Sequence, residues 1–111
     1  MKLEVHERLA LLNILPKEGD YAALKTIRRN REGIGFTPEE IAFYELVSQP
    51  NASGIMQTTW NSTRAAEKVK DVPIDEYTTN VIRDKLQELS KKNKLTDEYF
   101  SLYEKFVVMY T

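Results

Sequence analysis

A run of turn-forming residues, Pro50-Asn51-Ala52-Ser53-Gly54, interrupts the chain near its middle and leaves little freedom other than a reversal of direction. Proline, asparagine, serine and glycine each favour turns for a separate physical reason. The following segment, Ile55 to Trp60, is rich in β-favouring residues and alternates, which places Met56, Thr58 and Trp60 on one face. We therefore predict a β-hairpin formed by residues 44–49 and 55–60.

Two details of this sheet are open. Residues 44–49 also fit helical spacing, as a continuation of the preceding helix to Val47, but the turn that follows favours a strand. A third, shorter strand is predicted from Lys68 to Val72. Pro73 has no N–H to donate, so it either ends this strand or restricts it to a sheet edge.

Apolar residues at helical spacing predict three helices before the hairpin. The first begins near Val5 and stops before Pro16. The second covers residues 21–31 and is ended by Gly33 and Gly35, because glycine tolerates the left-handed conformation of a helix C-terminus.

The helix starts carry the clearest local signals. Asp20 is placed to cap the second helix. In the third helix, Thr37 caps, Pro38 suits the first helical position and Glu40 completes a capping box. This third helix is expected to reach about Phe43.

Two further helices are predicted after the hairpin. Asp75 or Pro73 opens the first, which covers roughly Asp75 to Lys91, and a Thr96 cap opens the second, which reaches about Tyr110. The apolar residues of the last helix occupy more than one stripe, so it packs against two surfaces or a partner. The expected fold class is α+β, with about five helices and a small two- or three-stranded antiparallel sheet around a central β-hairpin. A length of 111 residues suits one domain, residues 1–111.

Charge and cysteine usage exclude several classes of function. The chain has 16 Lys and Arg against 17 Asp and Glu, so no overall basic excess holds it on nucleic acid. It has no cysteine, which excludes disulfides, Cys-containing zinc sites and thiol nucleophiles. The charged start lacks the apolar core of a signal peptide, and no stretch suits a membrane span. We expect a cytoplasmic protein that does not contact a membrane.

Several runs of residues carry a resemblance to other proteins. They are Glu7-Arg8 with Leu11 to Tyr21, Leu24-Lys25, Phe36 to Glu40, the pair Trp60-Asn61 after the hairpin, Lys94 to Thr96, and Ser101 to Phe106. The chain resembles, at both ends more than in the middle, small proteins of unassigned activity encoded in phage, prophage and bacterial genomes. This resemblance implies a bacterial or phage cytoplasmic setting and supplies no functional residues.

Residues that often carry catalysis form no recognisable pattern in this sequence. His6 is the single histidine and lacks the second His or Cys that a transition metal requires. No serine lies in a G-x-S-x-G elbow. Three acidic pairs, Glu39-Glu40, Asp75-Glu76 and Asp97-Glu98, fall in the first turns of predicted helices, where the helix dipole stabilises them. We predict no catalytic residue, no metal site, no cofactor and no enzymatic activity.

Aromatic residues point to protein binding as the first functional hypothesis. Trp and Tyr contribute heavily to interface energies, and any that remain exposed form a candidate patch. The candidates are Trp60, Tyr99, Tyr103, Phe106 and Tyr110. The partner is an unknown protein or a second copy of the chain, and exposed edges of a small sheet favour self-pairing.

A basic helix face supports the alternative hypothesis, a small nucleic-acid-associated or regulatory protein. Lys25, Arg28 and Arg29 lie on one face of the second helix, and Arg31 extends the local excess of positive charge. Such side chains can contact phosphates without reading sequence. The competing interpretation is an ordinary solvated helix face.

Overall fold

A computed structural model describes residues 1–109 and confirms an α+β fold dominated by helices. Within that range the six α-helices are α1 (Val5–Ile14), α2 (Tyr21–Ile34), α3 (Pro38–Tyr44), α4 (Ser62–Glu67), α5 (Glu76–Lys91) and α6 (Asp97–Tyr103). A π-helical turn, Glu104–Val108, continues α6. The same described residues contain four short strands, β1 (Lys2–Leu3), β2 (Val47–Pro50), β3 (Met56–Thr59) and β4 (Lys70–Asp71).

Most helices begin where their capping residues predict. The Asp20 carboxylate accepts a hydrogen bond from the Ala23 N–H at 2.8 Å. Thr37 and Glu40 form the predicted capping box at the start of α3, with Pro38 in the first turn. Thr96 also occupies the predicted N-cap position of α6, although its side chain makes no capping hydrogen bond.

The end of α2 corrects one prediction. This helix continues through Gly33 to Ile34, and Gly35 follows in an extended conformation, not a left-handed one. The physical reason is tertiary, because the Ile34 side chain is fully buried and the Ile34 and Gly35 carbonyls accept hydrogen bonds from Arg8 of α1.

The switch from helix to strand after α3 settles the alternative at residues 44–49 in favour of the strand. Helix α3 ends at Tyr44, and Glu45 adopts a left-handed conformation with φ of 55°. Tyr44 is buried and its hydroxyl donates to the Lys68 carbonyl, which holds the chain where it turns away. The strand then begins at Val47.

The short strands form two separate sheets instead of one three-stranded sheet. Strands β2 and β3 make the predicted antiparallel hairpin. Strand β4 pairs with β1, with Lys2 opposite Asp71 and Leu3 opposite Lys70. A two-residue strand at the chain start is too short to show period-2 alternation, and burial of Leu3 in the core stabilises it.

Helix α4 was not predicted because it has no apolar stripe. None of its residues is buried. Its one readable signal is Asn61, whose side-chain oxygen accepts from the Arg64 N–H at 3.1 Å.

In the described part of the chain, buried apolar residues cluster around α1, and α1 packs against α2, α5 and α6. Helix α6 and its π-helical turn contact α1 and α5 at once, which explains why their apolar residues occupy more than one stripe. The members of the cluster are Leu3, Ala10, Leu11, Ile14, Leu15, Ile27, Ile34, Val72, Ile82, Leu86, Leu102, Phe106 and Val107. None of the helices within residues 1–109 is long and apolar enough to cross a bilayer.

A buried ion pair joins α1 to α3. The Arg8 side chain is 1% exposed and donates two hydrogen bonds to Glu40, at 2.7 and 3.0 Å. Arg8 Nε donates to the Ile34 carbonyl and Arg8 Nη2 to the Gly35 carbonyl, and the guanidinium lies 4.0 Å from the centroid of the Phe36 ring. Such bidentate geometry, with several guanidinium N–H donors used, offsets the cost of removing both charges from water.

A second buried carboxylate ties α1 to the C-terminal π-helical turn. Glu7 is 1% exposed, and its Oε1 accepts from Lys105 Nζ at 2.6 Å and from the Glu4 N–H at 2.9 Å. Burial by itself would raise the pKa of Glu7, but these hydrogen bonds and the Lys105 charge outweigh burial and lower it. Lys105 also donates to the Lys2 carbonyl at 2.9 Å, so this contact closes the two ends of the described chain onto each other.

Candidate interaction surface

The β2–β3 hairpin is the most exposed element of regular structure in the described chain. Every residue of β2 is exposed, and so is every residue of β3 except Thr58. Its register places Val47 opposite Thr59 and Pro50 opposite Met56. An isolated two-stranded sheet is only marginally stable in water, and packing of its apolar side chains against another surface stabilises it.

No residue from Leu46 to Thr63 carries a charge, although charged residues make up 30% of the chain. The segment exposes three apolar side chains, Val47 at 47%, Ile55 at 66% and Met56 at 64%. The sequence analysis did not identify this charge-free segment as a candidate surface. It could have been found from the sequence, because it is the longest run of residues without a charge.

The turn of the hairpin is held by its own hydrogen bonds. The Asn51 side-chain oxygen accepts from the N–H groups of Ser53, at 2.8 Å, and Ile55, at 3.1 Å. Gly54 has a φ of 80°, which a residue with a side chain rarely adopts. The hairpin is therefore shaped before any partner arrives, which lowers the entropy cost of binding.

The base of the hairpin is anchored to α3 and α4. The Asn61 N–H donates to the Tyr44 carbonyl at 2.7 Å, and the Asn61 amide donates to Glu45 Oε2 at 2.6 Å. Arg64 of α4 donates to the Phe43 carbonyl at 3.1 Å. These contacts fix where the hairpin leaves the body of the protein.

The two edges of the hairpin differ in the backbone groups that they present. The Asn51 N–H donates to the Ile55 carbonyl, so these two residues form a hydrogen-bonded pair. Along the two strands from this pair, non-hydrogen-bonded and hydrogen-bonded pairs of opposite residues alternate. Ser48 and Pro50 of β2, and Met56 and Thr58 of β3, therefore direct their backbone groups away from the partner strand. Pro50 has no N–H, so the β2 edge is blunted, whereas the β3 edge offers complete donor and acceptor pairs.

Edge strands in native proteins are normally protected by charges, proline or a covering element. Strand β3 has neither a charged residue nor a proline, and within residues 1–109 its single strand neighbour is β2. The unprotected β3 edge and the exposed apolar residues beside it form the candidate interaction surface.

The predicted aromatic candidates are not gathered on this surface. Trp60 follows β3 and is half-buried, while Tyr99 and Tyr103 are half-buried against the core cluster. Phe106 is 0% exposed in the core, so it is not available to a partner, and its assignment as a binding residue is corrected. Tyr110 lies outside the described residues.

The predicted basic candidates divide into two kinds. Lys25 and Arg28 are exposed on α2. Arg29 Nη2 lies 3.6 Å from the Asp75 carboxylate, and Arg31 donates to the Pro16 carbonyl at 3.1 Å. Arg29 and Arg31 are therefore partly engaged by other groups of the fold, which leaves a smaller patch than the sequence indicates.

One member of each of two acidic pairs, Glu40 and Asp75, makes contacts within the fold, whereas Glu39, Glu76, Asp97 and Glu98 are exposed. Glu40 binds Arg8, while Glu39 beside it is exposed. Asp75 caps α5 through the Thr78 N–H and accepts from the buried Asn30 amide, both at 2.8 Å. Among residues 1–109 no three His, Asp or Glu side chains are grouped to hold a metal ion.

One triad-like arrangement appears only in three dimensions. Ser101 Oγ lies 3.5 Å from His6 Nε2, and His6 Nδ1 lies 3.5 Å from Glu4 Oε2. Both distances exceed the roughly 2.6–3.2 Å expected of a nucleophile, its base and the orienting group. Ser101 also lies inside α6, where each backbone N–H bonds the carbonyl one turn earlier and cannot stabilise an oxyanion. The trio therefore receives no catalytic assignment.

Two of the cavities add no convergent chemistry. One of about 610 Å³ lies between the end of α1 and α5, and the Lys85 and Glu88 that line it are exposed and face each other at 3.9 Å. Another of about 300 Å³ lies beside His6 and Trp60. Neither encloses a set of buried polar groups, which a small-molecule site needs for orientation and specificity.

Comparison of this chain with known proteins finds no matching family model, no matching curated protein and no matching solved structure.

Proposed function

We propose that this protein is a non-enzymatic, cytoplasmic interaction module that binds another polypeptide by strand addition to the β3 edge. The observation that carries the proposal is the unprotected edge of β3 within an exposed, charge-free hairpin. In strand addition, main-chain hydrogen bonds supply affinity and alternate side chains supply specificity.

The side chains around the edge suit an uncharged or apolar partner strand. Ile55 and Met56 lie at the tip and are more than half exposed, so a partner strand removes their apolar surface from water. No charge within the hairpin has to be desolvated on binding. A partner strand that carries a buried, unpaired charge is disfavoured for the same reason.

Thr58→Pro is expected to weaken partner capture about tenfold, because losing an edge hydrogen bond and adding a ring costs on the order of 1.4 kcal/mol. The Thr58 N–H points away from β2, so the pairing inside the hairpin is preserved. Affinity capture from a bacterial lysate, quantified by mass spectrometry in high salt and after nuclease, measures this change.

Ser48→Pro is the matched control for that experiment. Ser48 lies opposite Thr58, and both variants lose the same hydroxyl–hydroxyl contact of 2.8 Å. Ser48→Pro blocks only the β2 edge and is expected to keep binding. If Thr58→Pro and Ser48→Pro both capture a partner protein in the same amount as the unmodified chain does, that result contradicts strand addition at β3.

A nucleic-acid-associated role is the second candidate, favoured by one observation on α2. Tyr21 is 80% exposed and precedes the exposed Lys25 and Arg28 at helical spacing, so an aromatic ring and two cations share a face. Base stacking on an aromatic ring combined with phosphate contacts is a common way to bind single strands.

This second candidate predicts weak, salt-sensitive binding. Two or three phosphate contacts correspond to a slope of about −1.4 to −2.1 in log affinity against log salt for a single strand. Lys25→Glu with Arg28→Glu is expected to abolish the binding, as measured by fluorescence anisotropy with a labelled oligonucleotide. Glu32→Gln, a change on the same helix that removes a negative charge, is the control and is not expected to weaken it. Binding that is independent of salt, or unchanged in the double variant, would exclude this role.

A further inference from the structure

We infer that the strand added to β3 is β3 of a second copy of this chain, in antiparallel register centred on Gln57. This inference rests on the proposed function and names its partner. The resulting dimer has a continuous four-stranded sheet in the order β2, β3, β3 of the second copy, β2 of the second copy.

The register follows from the backbone groups that point outward. Within β3 these belong to Met56 and Thr58, which are two residues apart. A two-fold axis at Gln57 places Met56 of each copy opposite Thr58 of the other. Each of these pairs exchanges two hydrogen bonds, so every outward N–H and C=O of the strand is used. If the axis is moved to Met56 or to Thr58, one residue with outward backbone groups in each strand lies opposite a residue outside β3 of the other copy. Its hydrogen bonds to that strand are then not made within β3.

The side chains are compatible with their own copies. Gln57 lies opposite Gln57 of the second copy, and Ile55 lies opposite Thr59, so no like charges meet. Ile55 and Thr59 are both β-branched, and such residues fit the pleated surface of a sheet. The chain has a net charge of −1, so long-range repulsion between two copies is also small.

The blunted β2 edge limits the assembly to two copies. Pro50 removes one of the donors that a further strand requires at the outer edge of the sheet. An isologous contact through β3 alone is closed, so it produces a dimer and not a filament. A contact of one short strand is small, and we expect a dimer that forms and dissociates with concentration.

A single introduced cysteine tests this register cleanly because the chain has none of its own. In the Gln57-centred dimer the two Gln57 Cα atoms are about 4.5 Å apart, since they form a non-hydrogen-bonded antiparallel pair. That separation lies within the range that a disulfide spans. Gln57→Cys is therefore expected to form a disulfide-linked dimer under mild oxidation, as seen on a non-reducing gel.

Gln49→Cys is the matched control, because Gln49 lies opposite Gln57 on the same face of the hairpin but in β2. Its counterpart in the dimer is three strand spacings away, about 14 Å, which a disulfide does not reach. Adding Thr58→Pro to the Gln57→Cys chain is expected to reduce the crosslink strongly, because both copies then lose an edge N–H donor. Sedimentation of the unmodified chain is expected to show a mass that rises towards two copies with concentration.

Three results would overturn the inference. They are a monomer at every concentration with no Gln57→Cys crosslink, equal crosslinking of the two cysteine variants, and a dimer that Thr58→Pro leaves intact. In the first case, capture of a different protein that is lost only in Thr58→Pro would leave the proposed function standing. Failure of both that capture and the crosslink would remove the proposed function as well.

Discussion

Replacing Glu40 with alanine is expected to lower the free energy of unfolding by about 3–5 kcal/mol, because it leaves the buried Arg8 guanidinium without its counter-charge. The Arg8 side chain is 1% exposed and that of Glu40 11% exposed, so little solvent is available to replace the lost partner. Equilibrium unfolding in urea, followed by circular dichroism, measures the change.

Glu39→Ala is the control for the Glu40 variant. Glu39 is adjacent and lies in the same first turn of α3, but it is exposed, so its removal is expected to cost no more than about 1 kcal/mol. Removing Arg8 as well, in Arg8→Met with Glu40→Ala, is expected to cost less than the sum of the two single changes. Equal costs for Glu39→Ala and Glu40→Ala would contradict a stabilising ion pair.

The same ion pair has a defined dependence on pH. Hydrogen bonds from Arg8 lower the pKa of Glu40 to about 2. The charge of Lys70 also lowers this pKa, whereas burial of the carboxylate raises it. Because the pKa of Glu40 is lower in the folded chain than in the unfolded one, its contribution is complete above about pH 4.5. That contribution, about 3 kcal/mol, is lost as the pH falls from about 4.5 to about 2.

Glu40→Gln isolates this contribution from that of other carboxylates. Glu7, Asp71 and Asp75 also have lowered pKa values, so acid destabilises the unmodified chain through several groups. The difference in stability between the unmodified chain and Glu40→Gln is expected to shrink steadily as the pH falls below about 4.5. A difference that stays constant down to pH 2 would show that Glu40 is not the titrating group.

Phe106→Ala is expected to destabilise the fold by about 3–5 kcal/mol, the cost of deleting a fully buried aromatic ring. Phe106 is 0% exposed where the π-helical turn packs on α5. Thermal or urea unfolding measures this effect. Phe100 is 57% exposed on α6, and Phe100→Ala, as the control, is expected to change stability far less. A Phe106→Ala chain of normal stability with lost partner binding would instead support the interface role predicted from the sequence.

The aromatic residues of α6 show how far sequence reasoning reached for the candidate site. Their spread around the helix is equally typical of a helix with two protein neighbours and of a helix with one neighbour and a partner. The structure shows contacts of α6 with both α1 and α5, which accounts for the pattern without a partner. Sequence periodicity reports how many sides of a helix are apolar, but it does not report what covers each side.

The amino-acid sequence by itself determines the starts of α2, α3 and α5 and the reversal at residues 50–54. These features depend on contacts between residues two to four positions apart, such as Asp20 with Ala23 or Asn51 with Ser53. Only the tertiary structure decides the pairing of β1 with β4 and the contact of Arg8 with Glu40, 32 positions away. The reason is physical, because a local backbone preference acts within one turn, whereas such pairs form only after the core has brought distant segments together. The candidate surface follows the same division, since the hairpin was readable from the sequence, while its exposure and its open β3 edge depend on where the rest of the chain packs.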